Sequence, residues 1–172
     1  MKCDNCNSVT VVQKGATYHY KECGIDRVYL NNIKIRVCEA CGAQSPRIPR
    51  ISEIHRTLGE AIALQPAPLA GADSRLLRKQ LGLKAREWAS LIGIDPATLS
   101  RWENGEQAIG TQSDLLTRLL YIRLRQEREG SVLSEPLADR LALATKINIT
   151  SPPVVFIDAN NPSRYLYQYQ SK

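Results

Sequence analysis

Residues 73–105 read DSRLLRKQLGLKAREWASLIGIDPATLSRWENG. The stretch predicts three short helices joined by tight turns. The decisive turn is Leu91-Ile92-Gly93-Ile94-Asp95-Pro96. Gly93 can adopt the left-handed conformation that ends a helix sharply. Asp95 is a good N-cap, and Pro96 falls at the first helical position, where its missing N–H costs nothing. Helix, glycine-containing turn, helix is the helix-turn-helix arrangement, whose second helix lies in the DNA major groove. The helices are expected at residues 74–81, 84–92 and 96–104. Gly82 and Gly105 end the first and third. Leu76, Leu77 and Leu81 should face inward, as should Leu99 and Trp102, with Trp88, Ala89, Leu91 and Ile92 as the apolar set of the middle helix. Both tryptophans read as core residues rather than base-stacking platforms.

Downstream, Thr111 to Asp114 resembles a capping box with Asp in the acidic position. It starts an amphipathic helix to about residue 126. Leu115, Leu116, Leu119, Leu120, Ile122 and Leu124 exceed what one small core needs. The surplus reads either as a dimer seam or as a plain core helix. Residues 73–129 thus form an all-α domain.

The 172-residue chain is long enough for one or two small domains. Its net charge of +6 and isoelectric point near 9.2 favour a polyanionic partner such as nucleic acid. The excess is spread along the chain, so specific placement rather than one basic tail must bind DNA. No apolar run approaches a membrane span, and MKCDNC has no apolar signal core. We therefore expect a cytoplasmic, nucleoid-associated protein with no membrane partner, whose cysteines are reduced and available to metal.

Residues 1–45 open with Cys3-x-x-Cys6 and close with Cys38-x-x-Cys41. A Cys-x-x-Cys turn presents two thiolates at once, and two such turns complete a tetrahedral site. Gly42 supplies turn freedom after the second pair, and Asn7 can do so after the first. Four thiolates leave no open coordination position, so one structural Zn²⁺ is expected, with rubredoxin-like iron as the alternative. Lys2 and Arg36 lie near in sequence to offset the site's charge. Between the pairs, residues 9–14, 17–22 and 27–37 read as strands punctuated by Gly15 and Gly24, with Asn31-Asn32 as a further turn or bulge signal. A small antiparallel sheet follows, too small to stand on apolar burial alone. Cys23 is a spare ligand, a reactive thiol or, in the simplest reading, a small buried residue. His19 and His55 have no partner pattern and read as structural or surface residues.

Residues 46–72 read as a linker. Pro46 and Pro49 break the chain, and residues 51–64 form a short helix capped by Ser52, with Ile51, Ile54, Leu58, Ala61 and Ile62 on one side. Residues 130–172 form a C-terminal extension. A helix at residues 137–146 capped by Ser134 is expected, then a strand-like run from Val154 to Ile157. Tyr165, Tyr167 and Tyr169 alternate, as an edge strand, a docked tail or a segment that orders on a partner.

Cys3-x-x-Cys6 with Cys38-x-x-Cys41, followed by Leu69-Ala-Gly71-Ala-Asp73 and then LRKQLGL, resembles the zinc-ribbon plus helix-turn-helix proteins of the MqsA antitoxin type. The helical half, most clearly TLSRWENG, resembles the Xre/Cro repressor class. The likeness covers roughly residues 1–126. It implies an α+β, two-domain protein, a small antiparallel Cys₄ zinc-ribbon sheet followed by an all-α Xre/Cro-like helix-turn-helix bundle. It further implies a homodimer on a palindromic double-stranded DNA operator, with the zinc domain binding a cognate ribonuclease toxin. In the antitoxin type the reading helix uses an Asn near its start and an Arg one turn later. Arg101 matches the Arg, but Ala97 occupies the Asn position. The Ser-Gln that begins the middle helix in the wider class is Lys84-Ala85 here. The chain departs from both patterns, so the operator should differ.

Within the reading helix, Arg101 is the candidate for bidentate guanine contact, Ala97 and Thr98 for thymine methyls, and Ser100 for a base or phosphate. Lys84, Arg86, Arg78 and Lys79 are candidates for phosphate. Arg101 could instead pair with Glu103 or a backbone group. The function read from these residues is transcriptional repression, as an antitoxin-type autoregulator. The alternatives are a stand-alone protein-binding adaptor and an electron-transfer protein. An enzyme is not expected, since no phosphate loop, nucleophile–base arrangement or paired acids are recognisable.

Overall fold

A computed structural model describes residues 1–130 and 151–169. The helix expected at residues 137–146 lies outside the described residues.

Val28, Leu30, Ile33 and Ile35 are buried and define one face of β2 (Val28–Cys38). Their spacing shifts by one residue at Asn32, whose φ of 61° marks a bulge. The bulge keeps all four aliphatic side chains in the core, where an unbroken strand would turn half of them outward. β1 (Thr10–His19) pairs antiparallel with β2 and, besides the shift opposite Asn32, has one of its own between Gln13 and Ala16. Residues 9–14 and 17–22, read separately from sequence, therefore belong mostly to one strand. Gly15, at φ 69°, bends that strand rather than ending it.

β3 (Gln44–Arg47) pairs with Lys34–Val37 of β2. Pro46 sits inside this strand instead of breaking the chain, which an edge position permits because its missing N–H faces no partner. β3 covers only part of its edge of β2. The rest is taken by β4 (Val154–Asp158), parallel to β2 over Val28–Asn31, and β5 (Tyr165–Gln168) pairs antiparallel with β4. A parallel pairing requires a long crossover. Here the whole helical region supplies it. The sheet is thus five-stranded, ordered β1-β2-β4-β5 with β3 beside β2, and mixed rather than purely antiparallel. Tyr165 and Tyr167 lie in β5, which makes the extension an edge strand.

The described residues divide into two units. The first holds Met1–Glu22, Asp26–Leu58 and Val154–Gln168. It extends beyond residue 45 and takes in part of the extension, because the free edge of β2 recruits β4. α1 (Ile51–Leu64) starts one residue before Ser52, which therefore lies in its first turn and does not cap it. Ile54, Leu58, Ala61 and Ile62 are fully buried, whereas Ile51 is exposed.

The second unit takes the part of α1 from Gly59 onward and α2 (Gly71–Gln80), α3 (Ala85–Ile92), α4 (Pro96–Glu103) and α5 (Thr111–Glu129). The α+β class holds. α2 begins earlier than the sequence suggested, and Asp73 Oδ2 reaches back to accept the N–H of Ala70 (2.9 Å). α5 is capped at Gly110, not Thr111. Asp114 is drawn away from a capping role. Its carboxylate accepts the Leu69 N–H (2.6 Å) and pairs with buried Arg118. Arg118 also donates to the carbonyls of Ala63 (3.0 Å), Gln65 (2.7 Å) and Ala67 (2.6 Å), so one guanidinium satisfies three carbonyls of residues 63–67. No helix among the described residues is long and apolar enough to cross a membrane.

Candidate nucleic-acid interface and metal site

The turn between α3 and α4 forms as its residues require. Gly93 is left-handed at φ 71°, and Asp95 Oδ1 accepts the Ala97 N–H (2.7 Å) with Pro96 in the first helical turn. Leu99 and Trp102 are buried, and so are Trp88, Ala89 and Ile92. Leu91, of the same apolar set, is half exposed.

Burial of Leu99 and Trp102 fixes which side of α4 faces out. Ala97, Ser100 and Arg101 are exposed and Thr98 is half-buried. Among the described residues Arg101 donates to the Ala97 carbonyl one turn back (3.4 Å) and makes no ion pair. It does not pair with Glu103, because Glu103 is occupied elsewhere. Arg78 Nε and Nη2 each donate to the Glu103 carboxylate (2.7 Å), and Arg75 Nε joins them (3.2 Å). Arg75 Nη2 also reaches the Glu103 carbonyl and Asn104 Oδ1 (both 2.8 Å). The Glu103 carboxylate beside it pushes the Arg78 guanidinium above its ordinary value. Arg78 is therefore a brace between α2 and α4 and is withdrawn from the phosphate set. Lys79, Lys84 and Arg86 remain exposed. Lys84 is the N-cap residue of α3, and its N–H is taken by Glu87 Oε2 (2.7 Å). The brace was missed in the sequence because nothing local marks Glu103 as buried.

At one end of the sheet of the first unit, Cys3, Cys6, Cys38 and Cys41 bring all four Sγ atoms within 4.8 Å of one another. Cys3 Sγ lies 3.7 Å from Cys41 Sγ, and Cys6 Sγ lies 3.4 Å from Cys38 Sγ. Four thiolates at ~2.3 Å from a tetrahedral centre stand ~3.8 Å apart, so the cluster could hold one metal ion. Its halves repeat each other. Cys3 N donates to Ser8 O (2.8 Å) as Cys38 N does to Ala43 O (2.9 Å). Asn7 N returns to Cys3 O (2.9 Å) as Gly42 N does to Cys38 O (2.8 Å). Asn7 and Gly42 supply the positive φ, 61° and 70°, as the sequence led us to expect. The first cysteine of each pair is buried and the second exposed. Backbone N–H groups of Asn5 and Cys6 face the Cys3 sulfur and hold its pKa down. The side chain and backbone of Ser8 bring Cys6 down to about 6. These two shifts favour the thiolate that a metal needs; at Cys38 the backbone N–H of Cys41 acts the same way, but burial and the Cys6 side chain outweigh it and push the thiol up to about 11. Cys23 stands outside the cluster, its thiol donating to the Ile25 carbonyl (3.5 Å). Arg36 bonds to Ser45 Oγ (3.2 Å) and Met1 Sδ (3.0 Å) rather than to a thiolate.

A helix-turn-helix family model matches residues 75–112. These residues form a helix-turn-helix of the kind found in DNA-binding regulators. They are joined in one chain to a four-cysteine cluster able to bind metal. Neither the curated proteins nor the solved structures compared with the chain match it.

Proposed function

We propose that the chain is a sequence-specific DNA-binding repressor of the antitoxin type, which works as a cytoplasmic homodimer on its own operator and carries one structural Zn²⁺. Its role is binding, not catalysis. The observation that carries the reading is the outward face of α4. Ala97, Ser100 and Arg101 are presented together by a helix whose opposite side is locked by Leu99 and Trp102. An arginine one turn into such a helix can form the bidentate contact with guanine, and the lysines and arginines around it set position and salt dependence.

Selecting bound duplexes from a random pool identifies the operator. On that operator Arg101→Ala should cost about 1–3 kcal/mol. Equal affinities would overturn the assignment.

Zinc is favoured by the four-thiolate donor set, which leaves no open position and so supplies folding energy rather than chemistry. A coloured, iron-containing protein would overturn it. The dimer is supported by Leu116 and Leu119, which α5 exposes. The antitoxin part of the reading rests on the resemblance of residues 1–126. It calls for a ribonuclease encoded beside this gene that co-purifies with the zinc-bearing unit.

A further inference from the structure

The sheet of the first unit has a core face and an open face. Because Asn32 bulges β2, Tyr29 lies on the same open face as Lys34 and Arg36. Two groups of side chains gather there.

The first is cationic. Lys34 is directly opposite Arg47 in the β2–β3 register, and Arg36 is opposite Ser45. Like charges directly opposite on antiparallel strands are destabilising. Among the described residues neither Lys34 nor Arg47 has a carboxylate partner. Arg36 is held in place by Ser45 Oγ (3.2 Å). These three cations line a shallow concavity of about 480 Å³ with Met1, Val12, Ser45 and Pro46, and no acidic residue lines it. An anion is what relieves such a cluster.

The second group is aromatic. His19, Tyr29 and Phe156 are register partners on β1, β2 and β4. Their rings stack from strand to strand, with centroids 4.6 Å and 5.2 Å apart. All three are only half-buried. The ladder ends at His19 on edge strand β1: its ring edge meets Asp26, and among the described residues one ring face carries no further ring. At its other end Phe156 is opposite Leu166 of β5, 72% exposed. Tyr29 and Lys34 are about 13–16 Å apart along the strand, a span of a few nucleotides.

We infer that this open face binds single-stranded nucleic acid, with Lys34, Arg36 and Arg47 on the phosphates and an unpaired base continuing the stack at His19. A positive track beside aromatic side chains is how proteins hold single strands without reading sequence. Duplex DNA keeps its bases stacked inside and would leave the ladder unused. An acidic peptide would likewise engage the cations alone. The site is separate from α4 and does not depend on the operator reading.

The test uses the full, metal-loaded chain carrying Lys84→Ala and Arg101→Ala, so that the helix-turn-helix does not mask the signal. Fluorescence anisotropy is measured with labelled 12-nucleotide oligothymidylate and oligouridylate, with a 12-base-pair duplex and with polyglutamate as competitor. Both single strands should bind more tightly than the duplex. Lys34→Gln with Arg47→Gln should lower the salt slope by about 1.4. His19→Leu and Tyr29→Leu, which keep apolar bulk, should each weaken binding about fivefold or more. Retained metal content together with an unchanged β-sheet circular dichroism signal shows that each variant is folded at both ends of the sheet. Equal affinity of the parent and these variants overturns the proposal. So does tighter binding of the duplex, or displacement of the oligonucleotides by equimolar polyglutamate.

Discussion

Arg78 grips Glu103 with two charge-assisted hydrogen bonds of 2.7 Å, and both side chains are nearly buried. The contact joins α2 to the last residue of α4. It therefore sets the angle at which the reading helix is presented. Removing one partner of a buried pair leaves an uncompensated charge, which costs about 3–5 kcal/mol. Glu103→Gln is expected near the lower end, since its amide oxygen still accepts. Urea unfolding of the helical unit reads this loss. A double-mutant cycle with Arg78→Met should show strong coupling; additive effects would mean the brace is energetically idle.

Gly71 opens α2 against the end of α4. A Cβ at this position would overlap the carbonyl oxygen of Trp102, which is backbone and cannot swing aside. Alanine in a helix normally gains up to about 1 kcal/mol over glycine. Here overpacking, typically about 1–3 kcal/mol, should win. Gly71→Ala is expected to lower the thermal midpoint and to weaken DNA binding, because α4 must shift. A stabilised variant would show that the two helices are less tightly docked than described.

Local chemistry made much of this readable in advance. Gly93, Asp95 and Pro96 each act within a few residues of themselves, and the α3–α4 turn forms as they dictate. The positive φ of Asn7 and Gly42 has the same origin. What was not legible depends on distant partners. Val154–Asp158 looks strand-like alone, but nothing in it announces a parallel pairing to Val28–Asn31. Arg78 is indistinguishable in sequence from a phosphate contact until Glu103 is placed beside it. Asp114 follows a capping pattern and yet serves Leu69 and Arg118. Leu91 fits the apolar stripe of its helix and still faces out, because periodicity gives a face but not the extent of what covers it.

The metal site and the sheet core lie at opposite ends of β2, which bears on what chelation should do. Cys38 ends the strand, while Val28, Leu30, Val155 and Ile157 fill the other end and are fully buried. Each such side chain contributes about 1.5–3 kcal/mol. Stripping the metal should therefore unfold residues 1–9 and 38–47 first, while β2, β4 and β5 keep their amide protection and the helical unit is unaffected. Hydrogen exchange before and after chelation checks this. Protons compete with metal for the thiolates, so acid should mimic chelation. Simultaneous loss of protection throughout the sheet would mean that the metal supports the whole unit.

His55 offers a second pH effect on the same unit. Its Nε2 meets the Tyr20 hydroxyl at 2.7 Å, and burial lowers its pKa. The fold thus holds the imidazole neutral, whereas the unfolded chain protonates it near the ordinary value of about 6.5. Below that pH the unfolded state binds more protons. Stability contributed by this group is complete above about pH 6.5 and declines as pH falls through the lowered folded value. His55→Gln removes the titration and keeps a hydrogen-bonding side chain beside Tyr20. Denaturation at pH 7 and pH 5 should show a smaller loss in the variant than in the parent. Because acid also releases metal from both proteins, the difference between them isolates the histidine. Identical losses would place the acid sensitivity entirely at the cysteines.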